Sequence, residues 1–128
     1  CKKNADCPNL VQDTDAKVGD PDFSLLVPSQ QYLPKYVFLV PTKYKENYIN
    51  LVMPAGQTKA TLDGQPLPAS PAPKEFSPGW TIARYPITPG THTLVCPPVG
   101  GLNCGLTVYG WDNFVSYSYP GGVQLTKP

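Results

Sequence analysis

Residues 84–125 read RYPITPGTHTLVCPPVGGLNCGLTVYGWDNFVSYSYPGGVQL. Two runs in this stretch alternate small or aliphatic residues with hydroxylated and aromatic ones. Pro-Gly or Gly-Gly stands on either side, and Cys96 and Cys104 bracket the loop between the two runs. A period of two broken by Pro and Gly describes extended backbone turning back on itself, with no room for a helix. No catalytic constellation accompanies the pattern. It points to a rigid β module whose work is contact.

Composition extends the same conclusion to the whole chain. Seventeen prolines in 128 residues is more than twice the usual share of roughly 5%. Proline removes a backbone donor and breaks helix interiors, so long helices are nearly excluded. The aromatic and β-branched content is too high for a disordered, proline-rich tail. An all-β chain with many turns remains, and its length suits one domain with a single modest core.

The net charge of +1 comes from nine scattered lysines, the lone arginine Arg84 and nine carboxylates. A nucleic-acid partner needs a concentrated basic face, which this distribution does not offer. No stretch approaches the roughly 20 apolar residues that span a bilayer. The chain opens on Cys1 and two lysines rather than on an apolar run. It therefore carries no signal peptide as it stands, and is expected to be a processed or excised product.

The four cysteines fall into two local pairs, Cys1 with Cys7 and Cys96 with Cys104. Short separations favour these pairings over the other two that four cysteines allow. The loop CPPVGGLNC can close without strain, and closing about nine residues stabilises by roughly 2.5 kcal/mol. Two disulfides imply an oxidising compartment, hence a secreted, periplasmic or cell-surface protein. Zinc ligands come in closer pairs, and His92 is the sole histidine, so no metal site is expected. A lipid on Cys1 is the weaker alternative, because it would leave Cys7 without a partner.

Strand candidates follow in order: Asp22 to Val27, Tyr36 to Val40, Tyr48 to Met53, Lys59 to Asp63 and Gln65 to Leu67. Asp63 with Gly64 is a hairpin signal. The proline-rich stretch Pro66 to Pro78 is expected to be a surface loop. Trp80 to Ile87, Thr91 to Cys96, Cys104 to Trp111, Phe114 to Tyr119 and Val123 to Leu125 complete the series. About eight short strands at even spacing predict an antiparallel β-sandwich or partly closed barrel, and we take the sandwich. Residues 1–19 form a cysteine-stapled segment and residues 20–128 the β-sandwich domain.

The residues so placed resemble one family. The ordered signposts are Tyr36-Val37-Phe38-Leu39, Pro41, Asn47-Tyr48-Ile49-Asn50, Thr61-Leu62-Asp63-Gly64 and Pro89-Gly90-Thr91-His92. Val108-Tyr109-Gly110, Tyr117, Tyr119-Pro120-Gly121-Gly122 and Leu125 follow. From Asp20 to Leu125 the chain resembles the C-terminal part of the IgGFc-binding protein N-terminal domain, with its bacterial secreted or surface members. The resemblance implies a β-sandwich binding or scaffold module outside the cell. It supplies no catalytic motif and does not imply immunoglobulin binding. The cysteine-bracketed loop and the proline-rich loop depart from the family pattern.

Nucleophilic catalysis needs a nucleophile with an oriented base. His92, just after a Pro-Gly turn, reads as a surface strand position, and Asp63 and Asp112 have turn-forming explanations. Asp13, Asp15, Asp20 and Asp22 lack the spacing of a calcium loop and read as a solvated acidic stretch. No enzyme activity and no cofactor are expected.

Aromatic contact is the remaining chemistry. In Gly105 to Trp111, Leu106 and Val108 share one face while Thr107, Tyr109 and Trp111 share the other. With the aliphatic face as core, Tyr109 and Trp111 point outwards, where they can stack on sugars or anchor a protein. Trp80 joins them as a candidate, and the competing use of all three is packing. Tyr117 and Tyr119 match the family pattern and read as structural. The chain thus reads as a non-catalytic interaction or adhesion module with a protein or glycan partner at a surface. A structural subunit of a surface filament or coat, self-assembling, and a carbohydrate-binding module using Trp80, Tyr109 and Trp111 are the alternatives.

Overall fold

The run KYVFLV makes the first strand of the computed structural model, which describes residues 19–68 and 74–125. Its alternation is complete: Tyr36, Phe38 and Val40 are buried, while Lys35, Val37 and Leu39 are exposed. That is the period-two signature of a strand with one face on a core. Nine strands are present among the described residues. They are β1 (Lys35–Val40), β2 (Glu46–Pro54), β3 (Thr61–Leu62), β4 (Gln65–Pro66), β5 (Lys74–Ser77), β6 (Trp80–Pro86), β7 (Gly90–Val95), β8 (Gly105–Asp112) and β9 (Val115–Pro120). Among the described residues a 3-10 turn, Ser29–Gln31, precedes them.

Two antiparallel sheets result, ordered β1-β7-β3-β4 and β5-β6-β2-β8-β9. Tyr36, Phe38, Val40 and Leu94 from the first sheet join Ile49, Leu51, Met53, Ala83, Tyr85, Leu106 and Val108 from the second in one buried cluster. Two sheets closing on one shared core make a β-sandwich. Tyr36 helps to lock them together: its hydroxyl donates to the Cys104 carbonyl at 2.5 Å and accepts from the Leu33 amide at 2.9 Å.

Cys96 follows the last residue of β7, and Cys104 precedes β8 in the other sheet. The two are disulfide-bonded with their Cα atoms 6.1 Å apart, and both are fully buried. Between them Val99 and Leu102 pair across Gly100 and Gly101, whose φ values are +59° and +78°. Two successive positive φ angles are what a type I′ turn demands, and glycine supplies them without strain. The bond ties the two sheets at one end. Replacing both cysteines by alanine is expected to lower stability by about 2.5 kcal/mol. Urea unfolding of the oxidised protein against the variant reads this directly, and coincident curves would contradict it. Cys1 and Cys7 lie outside the described residues.

Several sequence expectations need correction. Asp22 to Val27 is not a strand. Pro21 and Pro28 bracket it, and the Gly19 amide bonds the Asp112 carbonyl at 2.8 Å while the Asp20 amide bonds Ser116 Oγ at 2.9 Å. These bonds, one to a backbone carbonyl of β8 and one to a side chain of the edge strand β9, fix the start of the segment beside the larger sheet without a backbone ladder. Val123 to Leu125 also stays outside the sheets; the Gln124 amide bonds the Gln31 carbonyl instead. The proline-rich loop contains β5, a proline-free tetrapeptide on the edge beside β6. Its register shifts between Glu75 and Ser77, an irregularity of the kind that protects sheet edges.

His92 is not a surface residue. It shares inward parity with Leu94 on β7 and is 9% exposed. The turn between β3 and β4 reaches it: Asp63 has φ +52° and Gly64 +78°, so the turn aims the Asp63 carboxylate at β7. His92 Nδ1 lies 2.6 Å from Asp63 Oδ2, and Nε2 lies 2.8 Å from the Thr88 carbonyl. The Thr93 amide donates to Asp63 Oδ1 at 2.8 Å. Both imidazole nitrogens are committed, which leaves neither for proton transfer to a substrate.

The His92 contact, with the Thr93 amide second, holds the Asp63 carboxyl below the usual aspartate range. A depressed folded pKa means stability that is present above the unfolded value, about 3.9, and lost as pH falls through the folded one. The stability difference between the natural chain and Asp63→Asn is therefore expected to shrink as pH falls from about 4 downwards. Urea midpoints across that range check it. A difference that grows as pH falls below about 4 would contradict the assignment.

Candidate protein-contact face

Tyr48 and Tyr109 become neighbours only when β2 pairs with β8, where the register sets them directly opposite each other. Trp111, two residues further on the same face of β8, stands opposite Glu46. Arg84 on β6 faces Asn50 of β2. All these side chains lie on the outer face of the five-stranded sheet, because their sequence neighbours Asn47, Ile49, Ala83, Tyr85 and Val108 fill the inner one.

The rings stack on one another. Tyr48 and Trp111 have centroids 5.1 Å apart at 24°, Tyr48 and Tyr109 5.7 Å at 24°, and Tyr109 and Trp111 5.9 Å at 35°. The Arg84 guanidinium carbon sits 3.8 Å from the Tyr48 centroid, 5.5 Å from Trp111 and 5.7 Å from Tyr109. One cation therefore lies within cation–π range of all three rings. The Tyr48 hydroxyl donates to Glu46 Oε2 at 2.7 Å. That bond, with desolvation second, raises the phenol above its ordinary range, and burial raises Tyr109. Both remain neutral hydrogen-bonding groups at physiological pH.

Of the candidates read from sequence, Tyr109 and Trp111 stand together and Trp80 does not join them. Trp80 opens β6 opposite Pro54 and meets Tyr32 edge-on at 5.9 Å and 83°. Tyr32 in turn covers Gly105, where any Cβ would overlap its ring. That end of the face is apolar: Leu26, Val27, Tyr32, Val52, Ile82 and Gly105 line a cleft of about 270 Å³. Sequence reasoning does not find Tyr48 or Arg84. Arg84 has the outward parity of Trp80 and Ile82, so its direction is readable from the chain. The pairing that sets Tyr48 on Tyr109 is not.

Tyr117 and Tyr119 face inwards on β9. Tyr117 donates to Asn47 Oδ1 at 2.7 Å, and Tyr44 packs edge-on against it at 4.5 Å. Burial, then the neighbouring Tyr119 and Tyr44 phenols, push its pKa up to about 12. The Tyr119 hydroxyl donates to the Leu39 carbonyl across the sandwich. Both belong to the packing between the sheets.

A family model described as IgGFc binding protein matches residues 5–110. The chain belongs to the IgGFc binding protein family. The match takes in β1 to β7 and most of β8, and with them Tyr48, Arg84 and Tyr109, while Trp111 stands one residue past its end. It begins at residue 5 rather than near residue 20, so the family reaches further towards the N-terminus than the signposts suggest. No curated protein and no solved structure matches the chain. No helix among the described residues is long and apolar enough to cross a membrane.

Proposed function

We propose that this chain is an extracellular protein-binding module. Its contact surface is the outer face of the five-stranded sheet, centred on Tyr48, Tyr109, Trp111 and Arg84. The observation that carries this is the Arg84 guanidinium lying 3.8 Å over the Tyr48 ring while Trp111 and Tyr109 stack beside it. Tyrosine, tryptophan and arginine dominate interface hot spots; the two aromatics bury a large area with little loss of side-chain entropy, and arginine adds a planar fork of donors. Here their mutual stacking already restricts the rotamers before any partner arrives. Family membership supports a binding role, and the Cys96–Cys104 disulfide supports an oxidising compartment.

The stacking favours protein over glycan. A pyranose needs an open aromatic face, whereas these rings turn their faces to one another and to Arg84. The test is the natural chain and Trp111→Ala on a protein array and a glycan array in parallel, starting with the Fc fragment that the family description names. Protein binding that weakens about 30-fold in the variant supports the proposal, since truncating a hot-spot residue removes at least about 2 kcal/mol. Glycan binding lost in the variant would turn the face into a sugar site. Protein binding indifferent to Trp111 would rule the face out as the contact surface.

A second proposal, that the chain is a structural subunit, rests on one observation. β1 is an edge strand whose Val37 and Leu39 are each 62% exposed, and such edges template pairing with further chains. Light scattering during size exclusion separates the two. A concentration-independent monomer supports the binding module, and polymers support the subunit.

A further inference from the structure

The outer face is banded across its strands. One row, Arg84–Asn50–Thr107, runs from β6 through β2 to β8. The Tyr48–Tyr109 pair is the next row on one side, and Val52, opposite both Ile82 and Gly105, is the next on the other. A polar row with a single cation thus separates an aromatic patch from an apolar cleft.

Arg84 is exposed and has no carboxylate within ion-pair distance among the described residues, where the one ion pair is His92 with Asp63. Glu46, on the far side of Tyr48, is engaged by the Tyr48 hydroxyl. Asp112 accepts the Asn113 amide at 2.6 Å, and Asp20 is exposed beside the Trp111 end. A guanidinium carries five N–H donors in one plane; one of them reaches the Tyr48 hydroxyl, and the fork formed by the others matches a carboxylate. The Asn50 amide and the Thr107 hydroxyl, half-buried in the same row, offer further donors.

Resting on the contact face proposed above, we propose that Arg84 reads a carboxylate, and that the partner is an extended protein segment with Asp or Glu between two apolar side chains. The spacing supports the pattern. Rows on one face of a strand are two residues, about 6.8 Å, apart, and so are alternate side chains of an extended peptide. A segment lying along β2 sets its acidic side chain on the Arg84 row. Its residue two before or after falls into the cleft at Val52 and Ile82, and the opposite one falls onto Tyr48 and Tyr109.

The test uses three capped peptides, acetyl-Leu-Ser-Glu-Ser-Leu-amide and its analogues with Gln or Lys at the centre. They are titrated to millimolar concentration while the Trp111 indole N–H signal is followed by NMR. The Glu peptide is expected to bind about tenfold more tightly than the Gln peptide, the Lys peptide more weakly still. Arg84→Gln is expected to abolish the Glu-over-Gln preference, and Lys35→Gln, remote on the other sheet, to keep it. Equal binding of Glu and Gln peptides overturns the inference, as does a preference that survives in Arg84→Gln or disappears equally in Lys35→Gln. No shift with any peptide also overturns it. If the charge preference fails while Trp111→Ala still weakens the array-identified protein, only this inference falls. If that binding ignores Trp111 as well, the contact face falls with it.

Discussion

Leu51→Ala is expected to lower the unfolding free energy by about 2–5 kcal/mol, the range for a leucine truncated in a core that cannot collapse around the gap. Leu51 is fully buried at the centre of the central strand of the larger sheet. Ala83 lies opposite it on one side and Leu106 on the other, and the Ala83 methyl has no rotamer that could extend into the space. Both flanking strands are held to β2 by continuous ladders, and neither backbone can move inwards without breaking its own register. Total stabilities of single domains run to about 5–15 kcal/mol, so the loss is a large share. Urea or thermal unfolding measures it. A change below about 1 kcal/mol would mean that the two sheets do not share the core described.

Gly110→Ala is expected to cost about 2–3 kcal/mol despite the better strand propensity of alanine. Gly110 faces inwards between Tyr109 and Trp111, and a Cβ there would stand 2.5 Å from the Glu46 carbonyl oxygen, 2.7 Å from Asn47 Oδ1 and 2.7 Å from Tyr117 Cε1. The first of these is backbone of the central strand, which cannot give way cheaply. Relief requires Tyr117 to move, which breaks its hydrogen bond to Asn47, a side chain only 7% exposed. Overpacking of this kind costs typically 1–3 kcal/mol, and a lost buried hydrogen bond adds about 1 kcal/mol. Relief from glycine's entropy returns roughly 0.5–1 kcal/mol. Ser118→Ala, on the outer face of β9, is the control and should stay within about 0.5 kcal/mol. Equal stability of the two variants would contradict the close approach of β8 to β2.

Most strands are legible because burial on one face writes itself into the chain at period two. YVFLV and YINLVM become β1 and β2 with boundaries moved by one or two residues, and the CPPVGGLNC loop closes as its length suggests. Asp22 to Val27 fails for a definite reason. Its residues favour a strand, but a strand also needs a continuous backbone ladder, and the chain entering it makes one backbone bond to Asp112 and one bond to the Ser116 side chain instead. β5 is hidden because four proline-free residues among prolines look like loop until β6 lies beside them.

The site is half legible. Parity along β8 gives the direction of Tyr109 and Trp111, and parity along β6 gives that of Arg84. Parity along β7 likewise turns His92 inwards with Leu94. Trp80 shows the limit of the same rule: it shares a face with Arg84, yet lies two rows away at the end of its strand. Which side chains touch across strands depends on register, and register is decided by pairing rather than by any single strand.

The contact face is tested most sharply by site-specific photo-crosslinking to the protein partner found on the array. Benzoylphenylalanine replaces Ser118, opposite Tyr109 on the outer face of the five-stranded sheet, in one sample. It replaces Val37, on the outer face of the other sheet, in a second. Crosslinking from position 118 and not from position 37 is expected. Crosslinking from position 37 alone would place the partner on the opposite face and overturn the assignment of the contact surface.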